Sequence, residues 1–133
     1  MAVRKLEHVG LMVRNIEKSV AFYTEVVGLI YQYTLTHTNG VIRLAFLAGA
    51  DSAATELELI EGYRDELPAE GRVHHIAFTV DDVEAEFARI QALNVPLLDT
   101  EITTLPNGAR YFFFYGPDGE HLEMFQPAPQ PTA

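Results

Sequence analysis

The stretch "RVHHIAFTVDDVEAEF", beginning at Arg72, has a counterpart in "KLEHVGLMVRNIEKSV", beginning at Lys5. An internal repeat constrains a chain more than its composition does, because two copies of one pattern must fold as two copies of one unit. With His75 set on His8, an offset of 67, the register holds without a gap across a strand and a helix. Val9 meets Ile76, Leu11 meets Phe78, Val13 meets Val80, Ile16 meets Val83, Glu17 meets Glu84, Val20 meets Phe87 and Tyr23 meets Ile90. In both copies the apolar period changes from two to helical at the same point.

The helical stripes are Ile16, Val20, Tyr23 and Val27 in the first copy, and Val83, Phe87 and Ile90 in the second. Asn15, and Asp81 or Asp82, are suited to cap them. Gly28 stops the first helix and "NVP" the second. Three strands follow each helix: "IYQYTLTH", "VIRLAFLA" and "TELELIE", then "PLLDTEITT", "ARYFFFYG" and "HLEMFQ". The turns between them are "TNG", "AGADSAA", "LPNG" and "GPDG", and the polar "GYRDELPAEG" reads as a linker between halves. The expectation is an α+β protein of two tandem βαβββ modules, about residues 3–62 and 72–127, forming one domain over 1–127. Residues 128–133 read as a disordered tail.

The net charge of -10 argues against nucleic-acid binding and against anionic membrane surfaces. No run approaches membrane-spanning length, and the start "MAVRKLEHVG" has no apolar core of signal-peptide length. The chain has no cysteine, which removes thiolate nucleophiles, thiolate metal sites and disulfides. A soluble cytoplasmic protein acting on a small molecule is the expectation.

Each module opens on a strand bearing a histidine and closes on a strand bearing a glutamate. Successive strand side chains alternate between faces. Val9, Leu11 and Val13 make the helix-facing set, leaving His8, Gly10 and Met12 opposite. Ile76, Phe78 and Val80 likewise leave His75, Ala77 and Thr79. In the closing strands Leu57 and Leu59 oppose Glu58, and Leu122 and Met124 oppose His121, Glu123 and Phe125. His8, Glu58, His75 and Glu123 therefore share the face away from the helices. The same parity turns His74 toward the helix side or the rim, and Glu56 has no counterpart in the second module. Any one of the four alone is an ordinary polar strand residue. Their agreement in parity and repeat position points to one divalent metal ion, of the Zn, Ni, Co, Mn or Fe(II) type, held by two imidazoles and two carboxylates.

With these four residues in paired βαβββ modules, the chain resembles the vicinal oxygen chelate superfamily, which includes glyoxalase I, methylmalonyl-CoA epimerase, extradiol dioxygenases and bleomycin-resistance proteins. "SVAFYTEVVGL" (Ser19 to Leu29) is similar to the family's first helix and "GPDGEHLE" (Gly116 to Glu123) to its final hairpin. The resemblance covers residues 3 to 127. It implies curved mixed sheets around a metal-binding cavity. The His, Glu, His, Glu set most resembles that of glyoxalase I (lactoylglutathione lyase), and implies methylglyoxal detoxification. The reaction so implied converts a 2-oxoaldehyde–thiol hemithioacetal to a 2-hydroxyacyl thioester through an enediolate. Glu123 would be the catalytic base, and Glu58 a ligand and second acid/base. Methylmalonyl-CoA epimerisation, or non-catalytic small-molecule binding and resistance, are the alternatives the family leaves open.

Two positions depart from the glutathione-using relatives, which carry an arginine four residues after the first histidine and an asparagine four residues after the first glutamate. Here these are Met12 and Gly62. Arg43 and Arg110 read equally as anchors for a substrate carboxylate or phosphate and as surface arginines. Glyoxalase-like relatives also imply a homodimer in which each site takes its first-module ligands from one chain and its second-module ligands from the other.

Overall fold

In the computed structural model the described residues are 5–51, 54–64, 66–68 and 71–129. The chain divides into two compact units, Met1–Leu67 and Pro68–Ala133, so the boundary falls inside "GYRDELPAEG". In the first unit β1 (His8–Val13) leads into α1 (Ile16–Phe22), which ends in a π-helical turn, Tyr23–Val27. Strands β2 (Ile30–Thr36), β3 (Arg43–Ala48) and β4 (Glu56–Glu61) follow. The second unit runs β5 (Ile76–Thr79), α2 (Val83–Ala92), β6 (Thr103–Thr104), β7 (Arg110–Tyr115) and β8 (His121–Gln126). The sheets are ordered β1-β4-β3-β2 and β5-β8-β7-β6. In each, the first and last strands pair in parallel and the remaining pairs are antiparallel. This is the expected α+β architecture of tandem βαβββ modules. Among the described residues no helix is long and apolar enough to cross a membrane.

The repeat extends into the cores. Helix α1 packs on β3 and β4, and α2 on β7 and β8. The first unit buries Val13, Ile16, Tyr23, Ala45, Leu47, Leu57 and Leu59, and the second Val83, Ile90, Phe112, Phe114, Leu122 and Met124. These are largely the same repeat positions, which is why the helix-facing parity read from the sequence holds.

The helix starts are built alike. Asn15 Oδ1 accepts from Lys18 N at 2.9 Å, and Asp82, rather than Asp81, accepts from Ala85 N at 3.1 Å. A second acceptor reaches each helix from the last strand: Glu61 Oε2 takes the Ile16 N–H at 2.7 Å and Gln126 Oε1 the Val83 N–H at 2.9 Å. Both satisfy amides that a helix leaves without an internal partner. The π turn ends at Gly28, whose φ of 95° is left-handed, and both Gly28 N and Leu29 N donate to the Tyr23 carbonyl.

Several strands are shorter than the sequence suggests. "VIRLAFLA" enters the sheet only at Arg43, because Asn39 Oδ1 holds the Val41 and Ile42 amides in a turn. "PLLDTEITT" reduces to Thr103–Thr104 and an isolated bridge between Leu97 and Phe114. Pro96 has no N–H to offer, and Asp99 Oδ2 takes the Phe113 amide at 2.8 Å in place of a backbone carbonyl. Strand β5 begins at Ile76, one residue after His75. In the first sheet all seven residues of the edge strand β2 are exposed, and its register shifts between Tyr31 and Tyr33. Residues 130–133 of the expected tail lie outside the described residues.

Replacing Asn15 or Asp82 by Ala is expected to cost about 1 kcal/mol each. Urea unfolding followed by circular dichroism checks this; an unchanged midpoint in both variants would show that the last-strand acceptors alone suffice.

Candidate metal centre

Parallel pairing of β1 with β4 sets Gly10 opposite Glu58 and His8 opposite Glu56. The side chains of His8 and Glu58 are diagonal neighbours on one face, with Nε2 3.8 Å from Oε1. A Cβ on Gly10 would meet Glu58 Oε1 at an ordinary 3.5 Å and Ile60 Cδ1 more tightly, at 3.1 Å. Phe46, the β3 partner of Glu58, turns its ring edge-on to His8 at 6.2 Å and is stacked by Tyr33 at 4.8 Å.

The second unit repeats the arrangement more tightly. Ala77 stands opposite Glu123, and His75 Nε2 lies 3.2 Å from Glu123 Oε1. Phe113, the β7 partner of Glu123, meets the His75 ring edge-on at 4.9 Å. The Glu123 side chain is 9% exposed and that of Glu58 14%. Burial pushes the Glu123 carboxyl above the ordinary carboxylate range; His75 opposes this shift and Asp99 adds to it. Of the two places expected for His74, the rim rather than the helix side fits its exposure. Its Nδ1 lies 3.0 Å from His75 Nδ1, and its ring meets Phe113 at 6.4 Å and His121 at 5.3 Å. Both histidines precede β5, so strand alternation does not govern them.

Two donors each about 2.1 Å from one ion lie roughly 3.0–3.4 Å apart in octahedral or tetrahedral geometry. The His75–Glu123 separation falls in that range, and the His8–Glu58 pair is a few tenths of an ångström wider. Imidazole nitrogen and carboxylate oxygen are donors that suit a first-row divalent cation. Among the described residues no three or more His, Asp or Glu side chains form a group that could hold a metal ion. Each unit holds one His–Glu pair, and each pair fits the donor chemistry of such an ion.

The two arginines are not turned to this face. Arg43 binds Glu17 through both terminal nitrogens, at 2.7 and 3.1 Å, and Glu61 through Nε at 2.9 Å. Arg110, its repeat equivalent, donates to Glu84 at 3.0 Å. Both tie helix to sheet, which favours the surface reading over the substrate anchor. A cleft of about 420 Å³ between α1 and β2, lined by Ile16, Val20, Tyr31 and Arg43, lies on the helix side as well. Gly62 has a φ of 93°, and a Cβ there would come within 3.1 Å of the Val41 carbonyl oxygen, so a backbone turn accounts for the glycine. Phe46 and Phe113 were missed as neighbours of the histidines, although the offset of 67 relates them too.

Residues 5–124 match the model of the Glyoxalase/Bleomycin resistance protein/Dioxygenase superfamily. The chain is 54% identical to the uncharacterized protein YwbC of Bacillus subtilis, over 92% of this chain and 98% of that one. It is 30% identical to the lactoylglutathione lyase of Pseudomonas putida, over 92% of this chain and 84% of the other. Among solved structures it is similar to the trypanothione-dependent glyoxalase I of Leishmania major, with a TM-score of 0.74 and 29% identity over 93% and 87% of the two chains.

A carboxyl whose folded pKa is raised binds its proton more tightly in the folded state, so stability falls as pH rises from the unfolded pKa through the folded one. Glu123→Gln removes this loss. In chelator-treated protein the variant is expected to gain on the wild type between pH 4 and pH 7, as read by urea unfolding. A difference that stays flat over that range would show that burial does not govern Glu123.

Proposed function

This chain belongs to the Glyoxalase/Bleomycin resistance protein/Dioxygenase superfamily, and on that premise we propose that it is a divalent-metal-dependent lyase of the glyoxalase I kind. The substrate is a hemithioacetal of a 2-oxoaldehyde and a thiol, and the product is a 2-hydroxyacyl thioester. The observation that carries this reading is the His–Glu contact formed at the same place in both units, beside the same phenylalanine. His8, Glu58, His75 and Glu123 are the four ligands of one ion in this proposal, and the assembly is a homodimer whose sites are shared between chains.

A divalent ion bound by these residues supplies Lewis-acid stabilisation for the negative charge that develops on two adjacent substrate oxygens. Glu123 removes the proton from the carbon bearing the hydroxyl and the sulfur. Those electrons form the carbon–carbon double bond of an enediolate as the carbonyl oxygen takes up charge. Glu123 then delivers the proton to the neighbouring carbon, and the hydroxyl proton passes to the other oxygen with Glu58 as the second acid/base, so the reaction is an isomerisation with no net gain or loss. The buried position of Glu123 keeps it from bulk water beside the reacting carbon. Glu58, less buried, serves as ligand and second acid/base. Phe46 and Phe113 pack edge-on against the two imidazoles.

Met12 and Gly62 leave the familiar glutathione contacts unmade, which supports a different thiol. The same two positions favour a second reading, epimerisation of a methylmalonyl-CoA-type thioester, which needs the same enolate stabilisation and two carboxylates.

Tag-free protein is expected to carry stoichiometric divalent metal and to lose turnover on chelation, recovering it with Ni, Co, Zn or Mn. Its absence in purified and reconstituted protein would favour a non-catalytic binding protein. Methylglyoxal adducts of several thiols, assayed beside methylmalonyl-CoA, separate the two enzymes; turnover of the CoA ester alone would overturn the lyase reading. Glu123→Gln should cut turnover by about 100-fold or more, the scale of a positioned acid–base group. Near-normal turnover would remove Glu123 as base.

A further inference from the structure

We propose that His74 is a positioning residue, whose ring holds the His75 imidazole with Nε2 turned toward Glu123. The purpose of the contact rests on the metal reading above, whereas the contact itself does not. His74 Nδ1 and His75 Nδ1 are 3.0 Å apart, while the opposite ring nitrogen of His75 faces Glu123 at 3.2 Å. A neutral imidazole carries one N–H, so one Nδ1 donates and the other accepts. For His75 Nε2 to offer a lone pair to a cation, its proton must sit on Nδ1, and His74 Nδ1 is then the acceptor. Ligating histidines are commonly fixed this way by an outer partner on the second nitrogen.

The chemistry of the partner matters here. A carboxylate in the place of His74 would add negative charge near Glu123, which already lies within reach of the Asp99 charge. An imidazole accepts the same proton without that charge. The His74 ring is itself held edge-on by Phe113 and against the buried His121 ring at 5.3 Å. In the first unit the corresponding residue is Glu7, so the device is not part of the duplication. The histidine pair is exposed, and water competes for the bond. The effect therefore belongs at the lower end of outer-partner effects, about tenfold in metal affinity.

The test uses the full chain labelled with ¹⁵N-histidine. In chelator-treated wild type, a scalar coupling between the two Nδ1 atoms across their hydrogen bond is expected, and its absence overturns the proposal. Zinc titration of His74→Phe should then show about tenfold weaker binding than wild type. His74→Asn should recover most of that loss, because its amide oxygen stands near the lost Nδ1 as acceptor. A role in packing alone predicts the reverse order, since Phe fills the ring's place and Asn does not. Equal affinity of wild type and His74→Phe, or Asn no better than Phe, would also overturn the proposal. Wild type that binds no zinc sinks the metal reading, while the coupling still decides the contact.

Discussion

The parallel pairing of the first and last strands of each unit is the constraint on which the other features depend. A parallel pair cannot be closed by a tight turn, so the whole α and two-strand excursion must intervene before β4 meets β1 and β8 meets β5. That pairing makes the histidine at the start of one strand a neighbour of a glutamate on the other. It also sets a small residue opposite each carboxylate, Gly10 in one unit and Ala77 in the other.

The two faces of each sheet divide the polar chemistry between them. On the helix side, Arg43 and Arg110 are consumed in ties to Glu17 and Glu84. The last strand also supplies an acceptor to the first helical amide. The first copy does this with a carboxylate that also binds Arg43, and the second with the neutral amide of Gln126. On the opposite face the charges are carboxylates beside imidazoles and aromatic rings, a setting in which Glu123 holds its proton more firmly than an exposed carboxylate does.

The duplication, the strand and helix order and the helix-facing residues were legible because a periodic pattern repeated at one offset reports both element type and buried face. The faces of Glu58 and Glu123 were legible for the same reason. His74 was not, because alternation applies only within a strand and β5 starts at Ile76. The ties made by Arg43 and Arg110 were readable in principle: the offset that aligns Glu17 with Glu84 also aligns the two arginines. The collapse of "PLLDTEITT" depends on Asp99 reaching the Phe113 amide, a contact between residues 14 apart that no local pattern announces.

Strand β2 has a consequence for the chain in bulk solution. It is an exposed edge, "IYQYTLT", with neither charge nor proline. Such an edge is a template for pairing with a like strand from another molecule. The shift at Tyr31 and Tyr33 blunts it, and the net charge of -10 keeps molecules apart at neutral pH. As acid neutralises the carboxylates, that repulsion fades while the uncharged strand is unchanged. Colloidal stability of the free chain is thus set by distant surface charge, and acidification leaves β2 as the adhesive element.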